Sequence, residues 1–184
     1  TTPPTRSSAA SDVYKRQCTD NLPSPAIADP GDHFKSVLYT GDGVVGHSIT
    51  GVGFKPDFVW LKGRTGSAGY NNILCDSVRG PKKTLFSNNN LAEYTDRGVA
   101  SFDEDGFTLV QAGGDENTSN ISYVAWCWKA GGAAVSNTDG SITSQVSVNQ
   151  DAGFSIVSYT GTGANATVGP VSYTHLRAHE TIDD

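Results

Sequence analysis

The chain is a succession of short apolar runs separated by turns. Runs rich in Val, Ile, Phe, Tyr, Trp and Thr end at clusters of Gly, Asn and Asp. The dipeptides Asp42-Gly43, Asp105-Gly106 and Asp139-Gly140 accept the positive φ of tight turns. No segment has the periodicity of an amphipathic helix of three turns, and residues 89–98 come nearest. The pattern predicts an all-β fold, an antiparallel β-sandwich of the jelly-roll or lectin-like kind.

Alternation within these runs also predicts which side chains share a face. In residues 123–128, one face carries both tryptophans, and Phe58 shares a face with Trp60 in the same way. Because large aromatic side chains dominate sandwich interiors, we expect these rings in the core. The expected interior comprises Phe58, Trp60, Phe107, Leu109, Val124 and Trp126. Lys62 and Lys129, at strand ends, should be exposed.

A short repeat suggests how the chain is divided. Phe34, Tyr39, Thr40, Gly41 and Gly43 recur at the same spacing as Phe154, Tyr159, Thr160, Gly161 and Gly163. The two copies are 154 − 34 = 120 residues apart. This spacing indicates tandem β domains, of which the second is truncated. The predicted division is 1–17 artefact, 18–32 linker, 33–132 β-sandwich domain, 133–150 polar connector with an edge strand, 151–170 start of a second copy, and 171–184 artefact.

The two termini are assigned as artefacts because they resemble translated DNA of one kind. Residues 12–17 and residues 171–181 resemble translations of inverted copies of a sequencing-library adaptor. Such segments are excluded from fold reasoning. His175 and His179 have the spacing of a zinc pair on a helix, but no third ligand accompanies them. We therefore predict no metal site and no cofactor.

Charge and cysteine usage narrow the range of partners. The net charge of −6 argues against nucleic acids and against anionic membrane surfaces. No apolar run approaches the roughly 18 residues of a membrane span, so no membrane insertion is expected. Cys18, Cys75 and Cys127 form no C-x-x-C motif, and the last two lie in apolar runs typical of buried free cysteines. A disulfide between Cys75 and Cys127 stays an alternative.

Four residues are candidates for ligand binding. Asp76 and Arg79, in "DSVRG", lie at the predicted end of a strand, where a loop begins. They either bind a ligand or form a surface ion pair that contributes little to stability. Trp60 and Trp128, if exposed rather than buried, would stack on sugar rings or anchor a partner.

Carboxylate chemistry has weaker support. Residues 103–106 have the carboxylate density of a calcium loop but lack its closing Glu, so a plain turn is expected. A glycosidase would need two carboxylates at one cleft, which Asp57, Asp76 and Asp103 would reach only through the tertiary fold. We expect no enzyme and no catalytic residue.

A set of ordered motifs resembles a known family. "LYTGDG", "SITGVGFKPDFVWLK", "DSVRG", "SFDEDGFTL" and "YVAWCWKAGG" together resemble a domain of unknown function that recurs, often in tandem, in marine bacteriophage and metagenomic proteins. The resemblance implies a structural or tail-fibre-like virion protein, made in the host cytoplasm and located in the phage particle. It implies a non-enzymatic structural or adhesion module, homo-oligomeric in the full-length protein. The implied partners are other virion chains or host-surface glycans, so a lectin-like domain and a glycan depolymerase stay as alternatives.

Overall fold

The computed structural model describes residues 27–66 and 69–169. The predictions about residues 1–17 and 171–184, including the His175 and His179 pair, lie outside the described residues. The strands are β1 (Phe34–Thr40), β2 (Ser48–Thr50), β3 (Phe58–Gly63), β4 (Ile73–Asp76), β5 (Lys83–Phe86), β6 (Tyr94–Thr95), β7 (Val99–Asp103), β8 (Gly106–Leu109), β9 (Ser122–Trp128), β10 (Val135–Asn137), β11 (Ser144–Asn149) and β12 (Phe154–Tyr159). Helical structure in the described part is confined to a 3₁₀ turn (Pro30–Asp32) and to α1 (Gly114–Asn117).

The strands form three antiparallel sheets. The largest has the order β1-β9-β3-β4-β5-β6, a second has the order β2-β8-β7, and a third has the order β10-β11-β12. One buried apolar cluster joins the first two sheets into a two-layer sandwich. The cluster comprises Ile49, Val52, Phe54, Val59, Leu61, Ile73, Cys75, Phe86, Val99, Phe107, Leu109, Ala125 and Cys127. The predicted all-β antiparallel class is confirmed, whereas the jelly-roll or lectin-like topology and the tandem repeat stay predictions.

The acidic segment at residues 103–106 is a hairpin turn. It joins β7 to β8, with Asp103 paired to Gly106 in register, as the turn prediction required. The carboxylate of Asp105 accepts hydrogen bonds from the backbone N–H groups of Gly51 and Gly53, at 3.1 and 2.6 Å. These two bonds hold the pKa of Asp105 below its usual value. The carboxylate therefore ties the hairpin to the loop after β2.

The predicted interior was right for the second sheet and wrong for the first. Phe107 and Leu109 are fully buried in the core. In β9 the fully buried side chains are Tyr123, Ala125 and Cys127. The predicted core residues Phe58, Trp60, Val124 and Trp126 lie on the opposite face of the six-stranded sheet and are only partly buried. Alternation fixes which residues share a face, but not which face meets the other sheet.

The side chains that fill the inner face explain this arrangement. Ala125 and Cys127 are small, so they leave room on the inner face for the core side chains of the second sheet. Cys127 and Cys75 both lie opposite Val59 in register, one on each neighbouring strand. Both cysteines are free and buried, as the apolar runs predicted. Burial raises the pKa of both thiols, that of Cys127 to about 12. Lys62 and Lys129 are exposed, as predicted.

Candidate functional site

The side of the six-stranded sheet that faces away from the core carries all three tryptophans of the chain and two phenylalanines. We call it the outer face. The strand register assigns to it Phe34 and Leu38 of β1, Val124, Trp126 and Trp128 of β9, Phe58 and Trp60 of β3, and Leu74 and Asp76 of β4. None of these residues belongs to the buried apolar cluster.

Register places the rings in two rows across the sheet. In the first row, Trp128 of β9 lies between Phe34 and Phe58, with ring centroids 4.9 and 5.3 Å apart. In the second row, Trp126 lies opposite Trp60 with centroids 5.4 Å apart and an edge-on geometry. Aromatic rings in contact prefer tilted or edge-to-face geometries, and such pairs on neighbouring strands stabilise a sheet. The outer face is thus an ordered aromatic surface.

The third sheet covers one end of this surface. Phe154 of β12 stacks on Trp128 at 6.1 Å and lies 6.2 Å from Phe58. Away from that contact the face is more open, and Leu38 on β1 is 62% exposed. Strand β1 is also an edge strand, since only β9 pairs with it among the described residues. Apolar side chains on an exposed edge mark a surface suited to a partner.

Asp76 and Arg79 form a partly buried ion pair at the end of β4. The guanidinium Nε of Arg79 donates to Asp76 Oδ2, and the backbone N–H of Arg79 donates to Oδ1 at 2.8 Å. Its other nitrogens donate to Glu93 Oε2 at 2.9 Å and to the carbonyl of Leu74 at 3.1 Å. Partial burial alone would lower the pKa of Arg79, but attraction to Asp76 and hydrogen bonds to Asp76 and Glu93 raise it.

The Arg79 side chain is 15% exposed and that of Asp76 is 7% exposed. The pair therefore differs from the solvent-exposed ion pair that the sequence left as one alternative. Its hydrogen bonds fix the turn after β4, because the guanidinium engages two carboxylates and a carbonyl at once.

The four sequence-predicted site residues lie in one region. Trp60, Trp128 and Asp76 stand on the outer face, and Arg79 lies in the turn that follows. Ligand binding by them stays a prediction. Sequence reasoning missed Phe34, although its place six residues before Thr40 in an alternating run was a usable signal.

The three aspartates that could have served a glycosidase lie apart with respect to the cavities formed by the described residues. Asp57 lines a cleft beside β11, whereas Asp76 lines a separate one beside β12. Asp103 lines neither, and its carboxylate accepts a hydrogen bond from the Thr108 hydroxyl at 2.8 Å. Both oxygens of Asp57 are engaged, one by Ser77 Oγ and one by the N–H of Ala130, each at 2.8 Å.

Metal ligation and membrane crossing both lack support in the described residues. In residues 27–66 and 69–169, no three His, Cys, Asp or Glu side chains converge as metal ligands would. No helix in the described part of the chain has the length and apolar character needed to cross a bilayer.

Comparison with protein families finds a match over most of the chain. Residues 29–174 match the model of a family described as a domain of unknown function, DUF7483. The chain belongs to this family. The range includes all three sheets of the DUF7483 domain described above. The family resemblance stated from the motifs is confirmed at this level, and its phage setting stays a proposal. Neither the comparison with curated proteins nor that with solved structures found a match.

Proposed function

We propose that this protein is a non-catalytic structural or adhesion module of a phage virion or tail-associated protein. We further propose that it contacts other chains of the particle through the outer face. The observation that carries the proposal is the position of the aromatic rows outside the sandwich core, the first of which reaches Phe34 on the exposed edge strand β1. The phage setting rests on the motif resemblance.

The chemistry of the outer face fits a contact between subunits. Aromatic residues and arginine are enriched in such contacts, and apolar groups at their centre exclude water. Phe34 is 41% exposed and Leu38 is 62% exposed, so both have apolar surface left to bury. Phe154 already contacts Trp128 and Phe58 of the first row within this chain. The remaining part is suited to a homo-oligomeric or virion contact of the same aromatic kind.

The arrangement of the acidic groups supports a role without turnover. A retaining or inverting glycosidase needs two carboxylates that flank one bond. Asp57 and Asp76 line different cavities, and both oxygens of Asp57 accept hydrogen bonds within the fold. This separation argues against the depolymerase alternative.

A lectin-like function is the second candidate. Trp126 is partly exposed on the outer face and lies away from the Phe154 contact. An indole in that position presents a flat surface on which a sugar ring stacks. A host-surface glycan would then occupy the area that the first proposal assigns to another protein chain.

Binding to host cells tests these functions together. A multimeric form of the chain should bind measurably where the monomer binds weakly, because avidity multiplies weak contacts. Trp126→Ala should reduce that binding without unfolding the chain. It would weaken the multimer if the outer face contacts other chains, and the glycan contact if the domain is lectin-like. Exposed Leu91→Ala, outside the outer face, is the control.

Three results would change the assignment. Loss of binding after removal of surface polysaccharide from the cells would favour the lectin-like function. Hydrolysis of that polysaccharide by the chain would establish an enzyme. Equal binding by monomer and multimer would contradict a weak, multivalent module.

A further inference from the structure

A cleft lined by both charged and small apolar residues lies between the sandwich and the third sheet, away from the outer face. It has a volume of about 880 Å³ and is lined on the sandwich side by His33, Lys55, Asp57, Ser77 and residues 129–133. Residues 148–151, at the end of β11, form the other side. The size is that of small-molecule sites, which span about 300 to 1,000 Å³. We propose that this cleft binds a carboxylate-bearing saccharide through Lys55 and Lys129.

The first support is that the walls of the cleft are fixed before any ligand arrives. Asn149 Nδ2 donates to the carbonyl of Lys129 at 3.0 Å and to His33 Nδ1 at 2.9 Å, while its Oδ1 accepts from the N–H of Ala152. Ser147 Oγ accepts from the N–H of Gly131 at 3.0 Å and donates to a neighbouring carbonyl at 2.8 Å. A preformed site loses little conformational entropy on binding.

A glycine sets how closely the two walls meet. A Cβ on Gly131 would lie 2.1 Å from the carbonyl oxygen of Val148, so only glycine lets the chain after β9 approach β11 this closely. This close approach therefore fixes the spacing between the third sheet and the sandwich along this side of the cleft.

The second support is the balance of accessible charge. Lys55 and Lys129 are both exposed, and neither has a carboxylate within ion-pair distance among the described residues. Asp57 is 6% exposed and both of its oxygens accept hydrogen bonds within the fold, so a ligand makes little direct contact with it. Asp151 is the remaining accessible carboxylate of the lining. The charged groups open to direct contact are therefore two ammonium groups and one carboxylate, which favours a ligand that carries a carboxylate of its own.

The third support concerns the rest of the ligand. His33 accepts at Nδ1 from Asn149, whose orientation is fixed by its other two bonds, so the ring proton lies on Nε2. Nε2–H is then a donor for the ligand. Among the described lining residues none is Phe, Tyr or Trp, so the cleft offers no ring for stacking a nucleobase. His33 Nε2–H and two ammonium groups together suit a molecule that carries hydroxyls and a carboxylate.

Titration of the full chain with trigalacturonate by isothermal calorimetry tests the proposal. Neutral maltotriose and triglutamate are the comparison probes. Trigalacturonate should bind, and Lys55→Gln or Lys129→Gln should each weaken it about tenfold or more, since each removes a charge-assisted hydrogen bond. The control Lys82→Gln removes an exposed lysine outside the cleft and should bind as the unchanged chain does.

Four outcomes would overturn the proposal. They are no binding of trigalacturonate at about 1 mM, equal binding of maltotriose, tighter binding of triglutamate, or a loss for Lys82→Gln as large as for Lys55→Gln. Amide NMR shifts of Gly131 and Gly132 in the unchanged chain provide a second readout if a variant fails to fold. Trp126→Ala should leave this titration unaltered, so the cleft and the outer face fail or succeed separately.

Discussion

Two leucine-to-alanine substitutions measure which side of the six-stranded sheet is the interior. Leu61 on the inner face of β3 is 0% exposed, whereas Leu38 on the outer face is 62% exposed. Leu61→Ala removes a fully buried side chain and leaves a cavity, which costs about 2 to 5 kcal/mol of unfolding free energy. Full burial of a leucine stabilises by about 1.5 to 3 kcal/mol. Because little more than a third of Leu38 is buried and no closed cavity forms, Leu38→Ala should cost about 0.5 to 1 kcal/mol.

Chemical unfolding followed by circular dichroism gives both free energies, and the same chemical change in each variant makes them directly comparable. In thermal scans, a difference of about 2 to 4 kcal/mol corresponds to roughly 5 to 15 °C between the two midpoints for a chain of this size. Similar losses for the two variants, or a larger loss for Leu38→Ala, would refute the assignment of the inner and outer faces. Leu61→Val, a smaller truncation, serves if Leu61→Ala fails to fold.

Three further predictions concern buried groups and one turn. Cys75 and Cys127 should resist alkylation in the native chain and react after denaturation, as peptide mass spectrometry would show; rapid native labelling would contradict their burial and raised pKa values. Burial raises the pKa of Glu116, so stability present at low pH is lost as pH rises through that pKa. In urea unfolding between about pH 4 and pH 7, Glu116→Gln should not show this loss of stability. Parallel pH profiles of unfolding free energy for the two chains would contradict the prediction. Gly106→Ala should destabilise the fold by about 2 kcal/mol or more, because Gly106 has a φ of +151° and a Cβ there would lie 2.0 Å from a facing carbonyl oxygen. Gly113 has an extended φ and open space around it, so Gly113→Ala should not destabilise the fold.

The fold class was readable from the sequence because local signals determine it. Short β-branched and aromatic runs closed by Gly, Asn and Asp predict strands and turns, and the turn at Asp105-Gly106 followed from its dipeptide. The choice of inner face was not readable in this way. Trp126 and Ala125 alternate equally well in either orientation, and only the close approach of the second sheet decides that the small residue lies inside.

The contacts of the candidate site also differ in whether local sequence could predict them. Asp76 and Arg79 are three residues apart, so their pairing was predictable from local sequence. Phe154 contacts Trp128, and Lys55 lines the same cleft as the end of β11, although these residues lie far apart in the chain. Such contacts depend on how sheets pack, and no local pattern in the sequence encodes them.

Hydroxyl-radical footprinting of particles from a phage that encodes this chain tests the central claim most directly. The oxidation of each side chain is compared between the free chain and the purified particle. If the outer face contacts other virion chains, Leu38 and Trp126 should be protected in the particle, while exposed Leu91 should be oxidised equally in both states. Equal oxidation of Leu38 and Trp126 in both states, or absence of the chain from purified particles, would contradict the account.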